Sequence, residues 1–280
     1  MNREFSRRSF LSFCAAAPLG AARGMAAAKA VPIGLELYSV RNDLEKNLMG
    51  TVRKVAKLGY QCVEFYSPYS NWTPDYAKRV RAELDELGIR CYSTHNDPAS
   101  FTPGGIGKAM ELNRILGSRY IVMASAGNVS GADGWKRVAE ALDTANETMK
   151  AHALHAGYHN HDAEWRAVEG QMPIEILAAN TDPSIMLQLD VGTCLEAGAD
   201  PVAWVKKNPG RVRSMHLKDW SPEKKYAVLF GEGAAPWKEL LQAAETTGGA
   251  EFFLIEQEGS RYPELETAKL CLEGYRKLHG

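Results

Sequence analysis

The chain has 280 residues, of which 45% are hydrophobic, 24% charged and 9% aromatic. This composition is typical of a folded protein, and it excludes a disordered tail, a collagen-like repeat and a small disulfide-rich scaffold. No stretch approaches the ~18–20 uninterrupted apolar residues that a membrane-spanning helix needs, which excludes a protein with several membrane spans.

The first 30 residues differ in character from the rest. They contain the run 6–11 (SRRSFL), then an Ala-rich and mildly apolar stretch, then 28–30 (AKA). Paired arginines, a modest apolar region and a small-residue cleavage site are typical of a twin-arginine (Tat) export signal. The alternative is a basic N-terminus without a targeting role. We predict a signal over 1–30, recognition by the Tat export machinery, a periplasmic location, and no membrane attachment after cleavage.

The remaining part of the chain, 31–280, has the usual size of one (β/α)8 barrel, although its length also allows two small domains. The full chain has 33 basic and 34 acidic residues. Without the five basic residues and one acidic residue of the signal, 28 basic and 33 acidic residues remain. A surplus of acidic residues disfavours binding to the phosphate backbone of DNA or RNA, so we predict no nucleic-acid partner. Four cysteines remain without C-x-x-C spacing, and no essential disulfide is predicted.

A helix end followed by a short strand recurs in the first half of this segment. Gly59, Gly88 and Gly117 lie 29 residues apart, and each separates an amphipathic stretch from a short run rich in β-branched and aromatic residues. Glycine is favoured just past a helix end because it adopts left-handed backbone without a Cβ clash. Units of this length predict successive parallel strands with helices outside them.

The pattern extends to eight candidate strands, near 33–38, 61–66, 89–94, 119–124, 154–159, 185–190, 212–217 and 251–257. Each connection can hold a helix, although the one after the fifth strand offers only a short helix around 174–179. No G-x-G-x-x-G or Walker-type loop follows the first strand, which weakens a nucleotide-binding open sheet. We predict an α/β fold, a single (β/α)8 TIM barrel domain over 31–280.

Polar side chains stand at the ends of most predicted strands: Glu64, His95, His159, His161, Asp190, His216, Glu256 and Glu258. In such barrels these ends converge on one face, where the chemistry takes place. One strand-end His or Asp is usually a loop hydrogen-bonder, but a buried cluster is costly unless a cation or substrate offsets it. The cluster predicts one divalent metal ion, with Mn²⁺, Zn²⁺, Co²⁺ and Mg²⁺ all remaining open.

Five segments resemble the sugar phosphate isomerase/epimerase family of xylose-isomerase-like TIM barrels: 33–41 (IGLELYSVR), 158–161 (YHNH), 189–192 (LDVG), 216–219 (HLKD) and 255–258 (IEQE). The resemblance runs from about Ile33 to Leu278. It implies isomerase, epimerase or dehydratase chemistry and leaves the substrate open, since one framework hosts several reactions.

The resemblance implies a metal set of Glu, Asp, His and Glu from strands five to eight. Asp190, His216 and Glu256 match the last three positions, whereas His159 stands where a glutamate is commoner. His159 and His161 lie on one face of a strand because they are two residues apart. We predict His159 as the ligand, with His161 as a substitute ligand or a catalytic substrate contact. Imidazole in place of carboxylate makes the site more positive, which suits a more acidic substrate.

The resemblance further implies removal of a proton next to a carbonyl, with the cation stabilising the resulting enediolate. It gives Glu256 the double role of ligand and base. We predict Glu164 as the second acid–base group, and a substrate contact or a solvated loop acid remains open for it. Predicted substrate contacts are Glu64, His95, Lys218 and Arg41, and Glu232 is predicted to face the pocket from a rim loop.

We therefore predict a divalent-metal-dependent isomerase or epimerase acting on a small carbohydrate. Export favours free sugars, keto-glycosides or cyclitols over sugar phosphates. A lyase or dehydratase acting on an oxidised sugar begins with the same proton abstraction and is the first alternative. A non-catalytic periplasmic sugar-binding protein or companion subunit is the second, and a homo-oligomer remains open.

Overall fold

The computed structural model describes residues 30–279. Eight parallel strands close into a barrel in chain order. They are β1 (Ile33–Glu36), β2 (Cys62–Phe65), β3 (Arg90–Asn96), β4 (Tyr120–Met123), β5 (His155–His159), β6 (Met186–Asp190), β7 (Ser214–Leu217) and β8 (Phe252–Ile255). β8 pairs with β1, with Leu35 opposite Ile255, so the described chain leaves no open edge in this sheet. The predicted (β/α)8 barrel is confirmed.

Helices alternate with the strands. They are α1 (Arg41–Lys46), α2 (Leu48–Leu58), α3 (Pro74–Leu87), α4 (Ile106–Leu116), α5 (Gly131–Lys150), α6 (Pro173–Asn180), α7 (Val191–Glu196), α8 (Pro201–Lys207), α9 (Trp237–Ala243) and α10 (Glu264–His279). A π-helical turn, Ala244–Gly248, extends α9. Four short 3₁₀ turns follow β1, β2, β3 and β5.

The helix ends follow the predicted glycine pattern. Gly59, Gly88 and Gly117 cap α2, α3 and α4 with φ of 98°, 69° and 78°. These positive φ values are the left-handed conformation that disfavours any residue with a Cβ. At the other end of α3, the Thr73 hydroxyl accepts a hydrogen bond from the Tyr76 N–H and fixes the start of the helix.

The alternation of side chains along the strands divides the barrel interior into two layers. On β6, Met186 packs inside against apolar residues of other strands, while Leu187 and Leu189 face the helices. Gln188 and Asp190 follow Met186 at two-residue steps and therefore point inward too. The apolar layer thus supports a polar layer at the carboxyl ends of the strands.

The four cysteines in the described residues, Cys62, Cys91, Cys194 and Cys271, are buried free thiols. Within 30–279, no helix combines the length and apolar character needed to cross a membrane. The predicted export signal falls outside the described residues except for Ala30.

Candidate active site

A cavity of about 330 Å³ opens at the carboxyl ends of the strands. Its lining residues are Glu36, Tyr38, Tyr66, His95, Asp97, Ala124, His159, His161, Glu256 and Glu258. This volume lies in the range of small-molecule sites. The barrel thus brings predicted residues from β3, β5 and the end of β8 to one pocket.

His216 on β7 links two carboxylates at the base of the site. Its Nε2 lies 2.7 Å from Glu64 Oε2, and its Nδ1 contacts Glu256 Oε2. Burial would lower the pKa of His216, but Glu256 and Glu64 raise it well above the usual value. Burial would raise the pKa of Glu64, but His95 and His216 lower it to about 2. Without a bound cation, both groups are therefore held charged at neutral pH.

Gln188 on β6 determines which ring nitrogen carries the hydrogen in His95 and His159. Its Nε2 donates to Glu64 Oε1 at 3.1 Å, which leaves its Oε1 as the acceptor for His95 Nε2 and His159 Nδ1, at 2.8 and 3.2 Å. A hydrogen on Nδ1 of neutral His159 leaves a lone pair on its Nε2. Burial and the neighbouring His216 lower the pKa of His159 well below its usual value, so it is neutral.

Asp190 at the end of β6 has one oxygen with a hydrogen bond and one oxygen without. Oδ1 accepts from the Thr193 N–H at 2.9 Å, whereas Oδ2 is buried without a hydrogen-bond partner in the described chain. Oδ2 forms an ion pair with Lys218 Nζ at 3.5 Å and lies 3.9 Å from His159 Nε2. A buried carboxylate oxygen without a hydrogen bond is costly, and Lys218 offsets its charge only in part because its ammonium group is shared with Glu256 and Glu258.

Lys218 supplies a positive charge under the cavity. Its Nζ lies 3.3 Å from Glu256 Oε1, contacts Glu258, and lies 4.9 Å from the centre of the Tyr226 ring. Burial would lower the pKa of Lys218, but Glu256 and Asp190 raise it well above its usual value. Burial would raise the pKa of Glu256, but Lys218 and His216 lower it well below its usual value. Glu256 is therefore an ionised carboxylate at the cavity wall.

The four predicted ligands form one group that can hold a metal ion. His159, Asp190, His216 and Glu256 are all buried, and each offers a donor atom within 4.8 Å of the others. The Oδ2 of Asp190, which has no hydrogen bond, and the lone pair of His159 Nε2 face each other across this group. Imidazole donors suit Zn²⁺ and similar metals, whereas carboxylate donors suit Mg²⁺ and Mn²⁺. This mixed set of donors therefore does not select one metal.

Glu36 at the end of β1 is a further acidic group of the site. It is 1% exposed, and its Oε1 has no hydrogen-bond partner among residues 30–279, while Oε2 accepts from the Tyr38 N–H. Burial, together with repulsion from Glu256 and Glu64, raises the pKa of Glu36 well above its usual value. A neutral carboxyl group at the cavity can donate a proton.

Some predicted site residues have other partners. Glu164 lies behind β5, where its carboxylate accepts from the Tyr158 hydroxyl at 2.6 Å and the His161 N–H at 2.9 Å, and it does not line the cavity. His161 is exposed at the cavity mouth, 5.0 Å from the His159 ring. Glu232, expected to face the pocket, instead pairs with Arg261 because the rim loop turns towards α10.

The predicted substrate contacts divide between the cavity wall and the shell behind it. His95 lines the cavity. Glu64 is fully buried and Lys218 is 4% exposed, and both contact predicted ligands rather than the cavity. Arg41 stands at the rim, where its guanidinium donates to the backbone oxygens of Tyr38 and Glu258 at 2.9 and 2.8 Å.

Two functional residues escaped the sequence analysis. Gln188 stands two residues before Asp190, so strand alternation already places both on the inner face. Glu36 ends the first strand and belongs to the segment that carries the family resemblance. Applying the strand-end rule to all eight strands would have identified it.

The family model described as "Xylose isomerase-like TIM barrel" matches residues 52–278. The chain belongs to the xylose isomerase-like TIM barrel family. Within it, the barrel is similar to a sugar phosphate isomerase/epimerase from Parabacteroides distasonis ATCC 8503, with 24% identity and a TM-score of 0.74 over 89% of this chain and 94% of the other. It is also similar to D-psicose 3-epimerase from Clostridium cellulolyticum H10, with 14% identity and a TM-score of 0.69 over 88% and 99%.

A curated relative matches this chain over part of its length. An inosose dehydratase from Bacillus anthracis (strain CDC 684 / NRRL 3495) is 31% identical over 186 residues, which cover 60% of this chain and 62% of that protein. The match thus spans less than two thirds of the relative's length. The family model establishes the family of this chain, and the solved structures agree with its fold.

Proposed function

We propose that this xylose isomerase-like barrel is a divalent-metal-dependent isomerase or epimerase of a sugar or keto-sugar. The proposal rests on buried Asp190, whose Oδ2 has an ion pair with Lys218 but no hydrogen bond and faces His159 Nε2 beside an ionised Glu256. Such a group of donors is stabilised by a bound cation, and it lies at a cavity with the volume of a small-molecule site.

His159, Asp190, His216 and Glu256 would hold the ion. A divalent ion supplies Lewis acidity that stabilises negative charge on the substrate oxygen when a neighbouring C–H bond is broken. Glu64 orients His216 through its Nε2, and Gln188 orients His159 through its Nδ1. Such contacts fix the direction of the ligand nitrogens and raise their basicity.

Glu256 is the proposed base because it is ionised and lines the cavity. Its carboxylate takes the proton from the carbon next to the carbonyl, and the electron pair of that C–H bond passes to the oxygen to give an enediolate. Passing the hydroxyl proton from one enediolate oxygen to the other and returning the abstracted proton from Glu256 to the neighbouring carbon completes an isomerisation. Lys218 keeps Glu256 ionised between turnovers and is a positioning residue.

Epimerisation needs a second proton donor on the opposite face of the substrate. Glu36 lines the cavity with an Oε1 that has no hydrogen-bond partner in the described structure, but it stands directly beside Glu256 on the neighbouring strand and so approaches the substrate from the same side. Glu164 remains a candidate, and it would have to give up its bonds to Tyr158 and His161.

A dehydratase is the alternative that the curated relatives favour. It shares the first step, after which a hydroxyl group leaves as water from the carbon beyond the enediolate. The same cavity residues serve both reactions, so only the product distinguishes them.

We further propose the periplasm as the location, with a small carbohydrate as the partner, and cell fractionation tests the location.

Solvent-deuterium exchange into keto-sugars, followed by NMR, tests the proposed proton transfer. The wild-type protein should incorporate deuterium next to the carbonyl, and Glu256→Gln should lower the rate by about 10²–10⁴-fold. Glu266→Gln on exposed α10 is the control and should leave the rate unchanged. Metal content measured on the same samples separates loss of the base from loss of the ion.

Exchange at an unchanged rate in metal-loaded Glu256→Gln would contradict the assignment of the base. A product that keeps every hydroxyl group would support the isomerase or epimerase. Release of water would support the dehydratase.

A further inference from the structure

A second cavity, of about 430 Å³, lies beside the candidate active site. It is formed by α1, the start of α2 and the segment that follows β2. Its walls include Leu44, Leu48, Phe65, Tyr69 and Trp72. Leu48 and Trp72 are half-buried, so apolar surface remains open to a ligand. We name it the apolar side cavity.

Tyr66 joins the apolar side cavity to the candidate active site because its side chain lines both. Its ring meets the Tyr38 ring edge-on at 5.3 Å, and Tyr38 also lines the active-site cavity. On the other side, the Arg41 guanidinium lies 4.5 Å from the Tyr38 ring centre and lines the apolar side cavity. A ligand that reaches across Tyr66 would contact both cavities.

The chemistry of the walls favours a flat apolar group. Trp72 meets Phe65 edge-on at 5.1 Å and Tyr69 at 6.0 Å, and because Phe65 and Tyr69 are each 1% exposed, half-buried Trp72 and Tyr66 present the aromatic surface that a ligand can reach. Another ring can join such an arrangement with edge-to-face geometry. Two charged residues border the cavity: exposed Glu45, and Arg41, whose guanidinium is bonded to two backbone oxygens and places a cation beside the aromatic wall.

We propose that the substrate is a keto-glycoside whose aglycone is an aromatic or similarly flat apolar group held in the apolar side cavity. The sugar then occupies the active-site cavity, and the glycosidic link crosses Tyr66. This inference rests on the proposed function, because it takes the sugar to bind at the metal-ligand cluster. Free sugars and unsubstituted cyclitols have no aglycone, so they would leave the apolar side cavity unfilled.

Calorimetric titration with matched methyl and phenyl keto-glucopyranosides, with the keto group at C2, C3 or C4 and in both anomers, tests the inference. The phenyl compound of the accepted anomer should bind about tenfold more tightly, since it alone buries a ring. Glu45→Trp fills the apolar side cavity from an exposed position on α1 and should remove this preference without changing methyl-glycoside binding. Lys46→Trp is the matched control, because Lys46 is exposed on the same helix but is not part of the cavity wall.

The outcomes separate the two proposals. Methyl-glycoside binding without a preference for phenyl overturns the aglycone site and leaves the proposed function intact. A phenyl preference that survives in Glu45→Trp also overturns it, because the ring then binds elsewhere. Binding of neither compound to the metal-loaded wild type counts against the sugar site itself, and the aglycone site falls with it.

Discussion

At the scale of single residues, the site depends on how each imidazole is oriented. Gln188 can accept from both His95 and His159 only because its amide nitrogen donates to Glu64, which as a carboxylate only accepts. This single amide therefore decides which nitrogen of His159 carries the lone pair. His216 differs, since both its nitrogens face carboxylates; a bound ion would take the place of the proton on Nδ1, while Nε2 would keep its hydrogen and donate it to Glu64.

Replacing His159 and His161 one at a time tests the fifth-strand ligand. His159→Ala should lower metal occupancy strongly, because His159 is buried and its Nε2 faces Asp190 Oδ2. His161→Ala should keep the metal, because His161 is exposed at the mouth. Elemental analysis of both proteins checks this. Full occupancy in His159→Ala together with an empty site in His161→Ala would reverse the assignment.

At the scale of elements, the segment between β7 and α9 is held by Asp219. This buried carboxylate accepts hydrogen bonds from the backbone N–H groups of Gly231 and Gly233 and from Trp237 Nε1. Asp219 belongs to the segment 216–219 that carries the family resemblance. These contacts show a residue that fixes the loop leading to α9.

Asp219→Ala should destabilise the protein by about 2–4 kcal/mol, because it leaves several buried donors without an acceptor. Asp219→Asn should cost less, since one side-chain oxygen remains. Urea unfolding followed by circular dichroism measures both. A loss under ~0.5 kcal/mol in Asp219→Ala would show that the loop does not depend on this side chain.

The neighbouring rim loop provides a pH-dependent contribution to stability. The Arg261 guanidinium holds the pKa of Glu232 down at about 2, against a usual value near 4.5. A depressed pKa in the folded state means that this contribution is present above pH 4.5 and is lost as the pH falls through about 2.

Glu232→Gln should therefore reduce stability slightly at neutral pH and leave the unfolding midpoint less sensitive to acid between pH 4.5 and 2. Activity should be unchanged, because Glu232 does not line the active-site cavity. Thermal unfolding across this pH range checks the expectation. Loss of activity without loss of stability would instead place Glu232 at the substrate.

Sequence patterns predict the elements well and their contacts poorly. Glycine stops and strand alternation predict the eight strands and the convergence of Asp190, His216 and Glu256, because both signals are local. The partner of Glu164 depends on a 3₁₀ turn that brings its carboxylate back to Tyr158. The apolar side cavity depends on how α1 and α2 pack near the chain after β2, which no local pattern encodes.

At the scale of the whole molecule, barrel closure is what assembles the site. The proposed ligands come from β5, β6, β7 and the end of β8, and Glu36 comes from β1. The pairing of β8 with β1 brings the first and last strands together, so Glu36 and Glu256 line one cavity. The apolar layer below supports this ring of polar groups on rigid strands, which favours a preorganised site.

Elemental analysis of the protein beside Asp190→Ala, with Asp133→Ala at an exposed position on α5 as the control, tests the proposed metal site. We expect about one divalent ion per chain in the wild type and the control, and none in Asp190→Ala. No bound metal in the wild type after reconstitution with Mn²⁺, Zn²⁺, Co²⁺ and Mg²⁺, or full occupancy in Asp190→Ala, would contradict it.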